Sequence, residues 1–253
     1  MPICLLVAAG SRFHFFKTKY AACNSIIINF LRRGVQDRSP PPSAVTSRRE
    51  CNVLVPFYRG AWGSGGTFSV THTLEDAQTS IDFLRDAENA KKFRIDPNYI
   101  VLVGHSMGGF VAAYATAHEP KVFAVALISA ANLGPASARQ RVNDPQFWER
   151  WNDNASRLVG TTAEALVKEL DSDSTKWNYM NCVPLLKDRP VLVLEADDRN
   201  TSDNQELADR LRKGGDARIT EVQMHTDHLF SDHRIAMQAA IVNRMESIMK
   251  KPA

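Results

Sequence analysis

The sequence predicts an α/β domain built on a mostly parallel sheet with helices on both faces. Short apolar, largely β-branched runs bounded by turn residues recur along the chain and read as buried strands. Segments of helical spacing separate them, and that alternation is the mark of βαβ units and a sheet covered on both sides. At 253 residues with 44% hydrophobic content, the chain can bury one large core. We therefore expect a single domain over residues 1–253.

The first strand is expected at Ile3 to Val7 within "ICLLVAAG", a run that lacks the preceding positive residue of a signal peptide. Residues 8–50 interrupt the rhythm. They include "RRGVQDRSPPPSAVTSRRE", whose consecutive prolines exclude helix or central strand and whose basic, Ser-rich surroundings suggest a mobile loop. This segment is expected to be atypical and partly loop-like. A strand follows at Asn52 to Phe57, then a helix at Thr73 to Glu88, with Thr73 preceding an acidic first turn at Glu75 and Asp76.

Tyr99 to Val103 forms the next strand and Gly109 to Ala117 the next helix, followed by a strand at Val122 to Ser129. Residues 132–187 then break the alternation for longer than an ordinary connection. They are expected to be a mostly helical cap insertion over one end of the sheet. Their tryptophans, Trp148, Trp151 and Trp177, read first as the insertion's own core and second as pocket lining. The last elements are a strand at Pro190 to Leu194, a helix at Asn204 to Lys213 stopped by Gly214-Gly215, a strand at Arg218 to Met224 and a helix at Ser231 to Lys250.

Charge and cysteine content exclude several classes. The net charge of +3 is uneven, since residues 1–50 hold eight Lys/Arg against two Asp/Glu. That excess sits in a terminal segment without a binding motif, which argues against a nucleic-acid partner. Cys4, Cys23, Cys51 and Cys182 are far apart and show no metal-ligand spacing, so they read as reduced thiols of a cytoplasmic protein without a metal site. No apolar run approaches the roughly 20 residues that a membrane-spanning helix needs.

The chemistry is carried by "YIVLVGHSMGGFVAAYA", residues 99 to 115. Gly104-His105-Ser106-Met107-Gly108 fits the G-x-S-x-G elbow, in which a strained strand-to-helix turn exposes a serine oxygen. A serine hydroxyl is a poor nucleophile at neutral pH, so it needs a base, a group that orients the base, and N–H donors for the oxyanion. The base is expected after the last strand. "VQMHTDHLFSDHR" offers His225, His228 and His233, and His228 lies between strand and helix, with His225 strand-terminal and His233 helical. The acid is expected after the preceding strand, where "LEADDRNTSDN" offers Asp198 first and Asp197 in reserve. His14, His72, His105 and His118 suggest structural roles only.

With "FYRGAWGSGG", "GHSMGG", "LEADDRN" and "TDHLFSDHR", the sequence resembles an α/β-hydrolase-fold serine hydrolase, and more narrowly small bacterial hydrolases related to the prolyl-oligopeptidase and dienelactone-hydrolase groups. The resemblance covers residues 51–253 and implies a triad of Ser106, His228 and Asp198 acting on a small ester without cofactor or metal. It also implies an oxyanion hole with one N–H from Met107. Where the family carries His-Gly after an early strand, this chain has "LLVAAGSR", so Ala9 or Gly10 is the expected second donor. The alternatives are peptide or amide cleavage by the same triad, or a hydrolase fold kept as a weakened enzyme or binding module.

Overall fold

The computed structural model describes residues 5–9, 12–16, 25–30, 51–61, 63–215 and 218–249, those up to residue 53 and residue 249 by backbone alone. Eight strands form one sheet: β1 (Leu5–Ala9), β2 (Arg12–Phe16), β3 (Ser25–Phe30), β4 (Cys51–Pro56), β5 (Ile100–His105), β6 (Ala124–Ile128), β7 (Val191–Glu195) and β8 (Ile219–Gln223). Their spatial order is β2-β1-β4-β3-β5-β6-β7-β8. β5 through β8 are mutually parallel, β1 is parallel to β4, and β3 runs antiparallel to both β4 and β5. The carboxyl ends of β1, β4 and β5 to β8 therefore share one edge.

Central-strand side chains alternate between two cores, as a period of two requires. Leu102, Val125, Leu127, Val191 and Val193 enter one core with Ile81, Phe110 and Leu207. Val101, Val103, Ala126, Leu192 and Leu194 enter the other with Phe230, Ile241 and Met245. The first core is roofed by α1 (Val70–Arg85), α3 (Met107–His118) and α8 (Thr201–Lys213), and the second by α9 (Arg234–Met249). A short helix, α2 (Ala87–Phe93), extends α1.

Within residues 8–50, read as atypical and partly loop-like, residues 12–16 and 25–30 are strands; the prolines at 40–42 lie outside the described residues, as do Cys4 and Cys23. The expected start of the first helix is corrected. α1 begins at Val70, not Thr73, because the Ser69 oxygen accepts the His72 N–H and the Glu169 carboxylate accepts the N–H groups of Val70 and Thr71. Thr73 is instead buried within the helix, its hydroxyl bonded to the Val70 carbonyl.

The connection from β6 to β7 contains α4 (Leu133–Asn143), α5 (Phe147–Ala155), α6 (Ala163–Ser172), a 3-10 turn at Tyr179–Cys182 and α7 (Val183–Leu186). Its tryptophans divide. Trp177 is buried against Phe110 of α3 and donates to the Glu169 carbonyl, whereas Trp148 is 42% exposed. Trp151 lines a cavity. Cys182 is a free, buried thiol that burial pushes up to about 12, which leaves it unreactive.

At the end of β7, Glu195 is buried, and Glu221 on β8 lies diagonally across on the same face of the pair. Burial first, and Glu221 second, push the Glu195 carboxyl from 4.5 up to about 8. A folded pKa above the unfolded one gives stability that is complete below 4.5 and is lost as pH rises through about 8. Glu195→Gln removes that loss. Thermal melts between pH 4 and pH 9 are expected to show the variant gaining on the wild type across this window, by about 1–3 kcal/mol at its upper end. Parallel melting curves would refute the assignment.

Candidate active site

Ser106 occupies the junction between β5 and α3 with φ 55° and ψ −121°, a backbone region that L residues rarely adopt. Such a conformation costs about 1–3 kcal/mol and persists only where its surroundings enforce it. Here the Ser106 N–H donates to the Ile128 carbonyl at 2.9 Å, and the Ser106 carbonyl accepts from Gly109 and Ala131, each at 2.9 Å. Met107 opens α3, so its N–H belongs to the first turn, where backbone donors have no partner within the helix. The positive end of the helix dipole lies at the same point.

The acid and the imidazole meet across the carboxyl edge of the sheet. Asp198 follows β7 and His228 follows β8, and His228 Nδ1 lies 2.6 Å from Asp198 Oδ2. The same oxygen accepts from the Ser129 hydroxyl at 2.7 Å, and the Asn200 N–H donates to Oδ1 at 2.7 Å. Burial pushes the Asp198 carboxyl upward, but the bonds from His228, Ser129 and Asn200 outweigh it and leave the carboxyl below its ordinary 3.8. Asp198 is therefore a fixed anion at neutral pH. With Nδ1 bound to a carboxylate, the opposite nitrogen of His228 is the one available to the cavity that the residue lines.

Asp197 does not share this position. It is bonded at 3.1 Å to His225, which is 87% exposed and sits in the turn beyond β8 rather than at the strand's end. His233 likewise precedes α9 rather than lying in it, and pairs with Asp232. Of the three histidines offered by the sequence, only His228 reaches Asp198 among the described residues.

Several supporting groups were not legible as a motif. His105 places Nε2 2.7 Å from the His228 carbonyl; a carbonyl only accepts, so Nε2 carries the proton. Burial, then the neighbouring His228, lower the His105 pKa and keep it neutral. Ser129, itself at φ 41°, is tied by its carbonyl to the Asn200 side-chain amide at 2.9 Å. Asn204 is fully buried and clamps both backbone groups of Ala130 while donating to the Asn200 carbonyl at 2.7 Å. A continuous polar network thus runs beneath the site from the Ser106 carbonyl to Asp198. Its only sequence signal is the spacing of Asn200 and Asn204 by four, which puts both amides on one helix face.

Ser106, Met107 and His228 line a cavity of about 530 Å³, roofed by Leu133, Trp151 and Leu166 of the β6–β7 connection. It lies outside the carboxyl ends of the strands, the usual place for ligands in open α/β sheets. The expected second donor is not in reach. β1 is three strand spacings from β5, roughly 14 Å at the usual 4.8 Å, and Ala9, paired with Arg12, is the last residue of that strand. Sheet order, with β4 and β3 in between, thus separates Ala9 from Ser106; Gly10 lies outside the described residues.

Among the described residues, no group of three or more His, Cys, Asp or Glu side chains could hold a metal ion, and no helix is long and apolar enough to cross a membrane.

A parallel-stranded α/β sheet with a serine on a strained strand-to-helix turn and an Asp-His pair on the same edge defines the α/β-hydrolase architecture. The Alpha/beta hydrolase family pattern matches residues 27–240, and the chain belongs to this family. A curated relative, the Alpha/beta hydrolase domain-containing protein WAV2 of Arabidopsis thaliana, is 31% identical over 123 residues, 47% of this chain and 38% of that protein. The match thus spans less than half the length of that relative. An esterase of Pyrococcus furiosus superposes with a TM-score of 0.55 at 14% identity, covering 78% of this chain and 69% of the other. An alpha-beta hydrolase from Vibrio vulnificus gives 0.52 at 18% identity, covering 77% and 64%. At such identities the likeness is one of fold.

Proposed function

We propose that this protein is a serine hydrolase that cleaves small carboxylic esters through an acyl-enzyme. Ser106 attacks the ester carbonyl while His228 takes its proton and then passes it to the leaving alcohol. Asp198 holds the imidazole in the required tautomer and stabilises the imidazolium that forms. The Met107 N–H receives part of the oxyanion charge at the positive end of α3. Water, deprotonated by the same imidazole, then clears the acyl group.

The observation that carries the reading is the convergence of a strained Ser106 with a His228 already bonded at 2.6 Å to an ionised Asp198. A cavity of about 530 Å³ covered by α4, α5 and α6 favours a compact ester over a polypeptide. A fluorophosphonate probe tests the nucleophile directly. Wild-type protein is expected to be labelled at Ser106, and Ser106→Ala to remain unlabelled. An unlabelled wild type, or equal labelling of both, sinks the proposal. A series of p-nitrophenyl esters beside an aminoacyl-anilide then tests the bond type, and preference for the anilide would overturn the ester assignment.

A further inference from the structure

The charged side chains on the cavity wall are of one sign. Arg150, Arg157 and Arg199 line it, and among the described residues no aspartate or glutamate does. Two of these cations are already balanced from outside the wall. Arg150 is bonded to Asp144, and Arg157 pairs at 2.6 Å with Asp153 one helical turn earlier. Arg199 differs, because no carboxylate among the described residues lies within ion-pair distance of it. Its charge helps Arg150 and the Gln146 N–H hold the Asp144 carboxyl below the usual range, so the guanidinium stands near the Arg150–Asp144 pair without binding it.

The mounting of Arg199 is rigid. It stands between Asp198 and Asn200 in a turn where the Thr201 hydroxyl accepts the Asp198 N–H at 3.1 Å and donates to the Ala196 carbonyl at 2.7 Å. Asn200 is buried and anchored to Ser129. Movement of the turn would therefore disturb the Asp198–His228 pair, so Arg199 has a fixed origin beside the reacting centre.

Resting on the serine-hydrolase reading above, we infer that the ester carries a carboxylate a few bonds from its carbonyl, and that Arg199 is the specificity residue that binds it. One guanidinium without an ion-pair partner among the described residues matches one anionic group, and a fork of N–H donors fits a planar carboxylate in two-point contact. A neutral ester leaves that charge without a partner.

The test compares monomethyl glutarate with methyl pentanoate, esters of equal acyl length that differ in a terminal carboxylate, by pH-stat kinetics. Charge-assisted hydrogen bonds of this kind contribute about 1.5–3 kcal/mol, or roughly 10- to 150-fold. The wild type is expected to favour the anionic ester by that factor in kcat/KM, and Arg199→Gln to collapse the ratio toward one. Free glutarate is expected to bind the wild type in calorimetry, and to bind Arg199→Gln at least tenfold more weakly. A wild type that treats both esters alike, or a ratio unchanged in Arg199→Gln, overturns the inference even if the fluorophosphonate labels Ser106. Conversely, Arg199-dependent glutarate binding by a protein that the probe does not label supports the anion site while the serine-hydrolase reading fails. Arg199 is exposed, so the variant is expected to fold, and its melting temperature checks this.

Discussion

Asp198→Asn is expected to lower kcat about 10⁴-fold, while Asp197→Asn leaves it within a few-fold of wild type. The two residues are neighbours in sequence, yet their environments differ in kind. Asp198 is almost buried, with 8% of its side chain exposed, and receives hydrogen bonds from His228, Ser129 and Asn200. Asp197 is half-exposed, and among the described residues its carboxylate meets the solvent-facing His225 and the amide of Gln223. An asparagine at 198 offers His228 an amide whose N–H₂ donates, which favours the imidazole tautomer protonated at Nε2 and unable to act as base toward Ser106. About 5.5 kcal/mol of transition-state stabilisation is at stake, the energy equivalent of four powers of ten.

Steady-state kinetics on a p-nitrophenyl ester reads the effect, and the rate of fluorophosphonate labelling should fall with it because acylation uses the same base. If Asp197→Asn proved the crippled variant, the acid would be misassigned. A stability control is needed because the Asp198 carboxylate also holds the turn. Its folded pKa is below the ordinary 3.8, so its contribution to stability is complete above that value and is lost as pH falls through the lowered pKa. Melting curves at neutral pH therefore separate a chemical loss from unfolding.

Much of this arrangement was readable because separate signals agreed. β5, β6 and β7 are buried on both faces, so their sequences are continuous apolar runs and stand out from the polar helices between them. The elbow could be recognised because its glycines are imposed by local sterics. The choice between Asp197 and Asp198 was harder, since which of two adjacent carboxylates turns inward depends on β8 and on Ser129, both remote in sequence. The strands at Arg12–Phe16 and Ser25–Phe30 were obscured by the basic, proline-containing composition around them. "SIIINF" is itself a good strand sequence. The antiparallel insertion of β3 between β4 and β5 is a topological fact, however, and it is what separates Ala9 from the serine.

Gly104→Ala is expected to be the most destabilising of the single-methyl changes considered, by more than about 3 kcal/mol, and to remove activity with it. A Cβ at this position would lie 1.9 Å from the Gly108 carbonyl oxygen, 2.3 Å from its carbon and 2.7 Å from the Gly109 nitrogen. All three are backbone atoms of the first turn of α3, so no side-chain rotation relieves the overlap. The helix would have to lift from β5, and the Met107 N–H and the Ser106 turn would move with it. Gly109 is constrained from the other side, where its Cβ would approach Ala130 to 2.4 Å. Gly65 serves as the control, because an added Cβ there meets nothing within 4 Å and its φ is not positive. At roughly 2–4 °C per kcal/mol for a domain of this size, Gly104→Ala should melt at least about 6 °C below wild type, if it folds at all. Gly65→Ala should melt within a degree or two of wild type. Equal melting temperatures for the two variants would mean that α3 is not pressed onto β5 as described, and the strain at Ser106 would then lack the packing that sustains it.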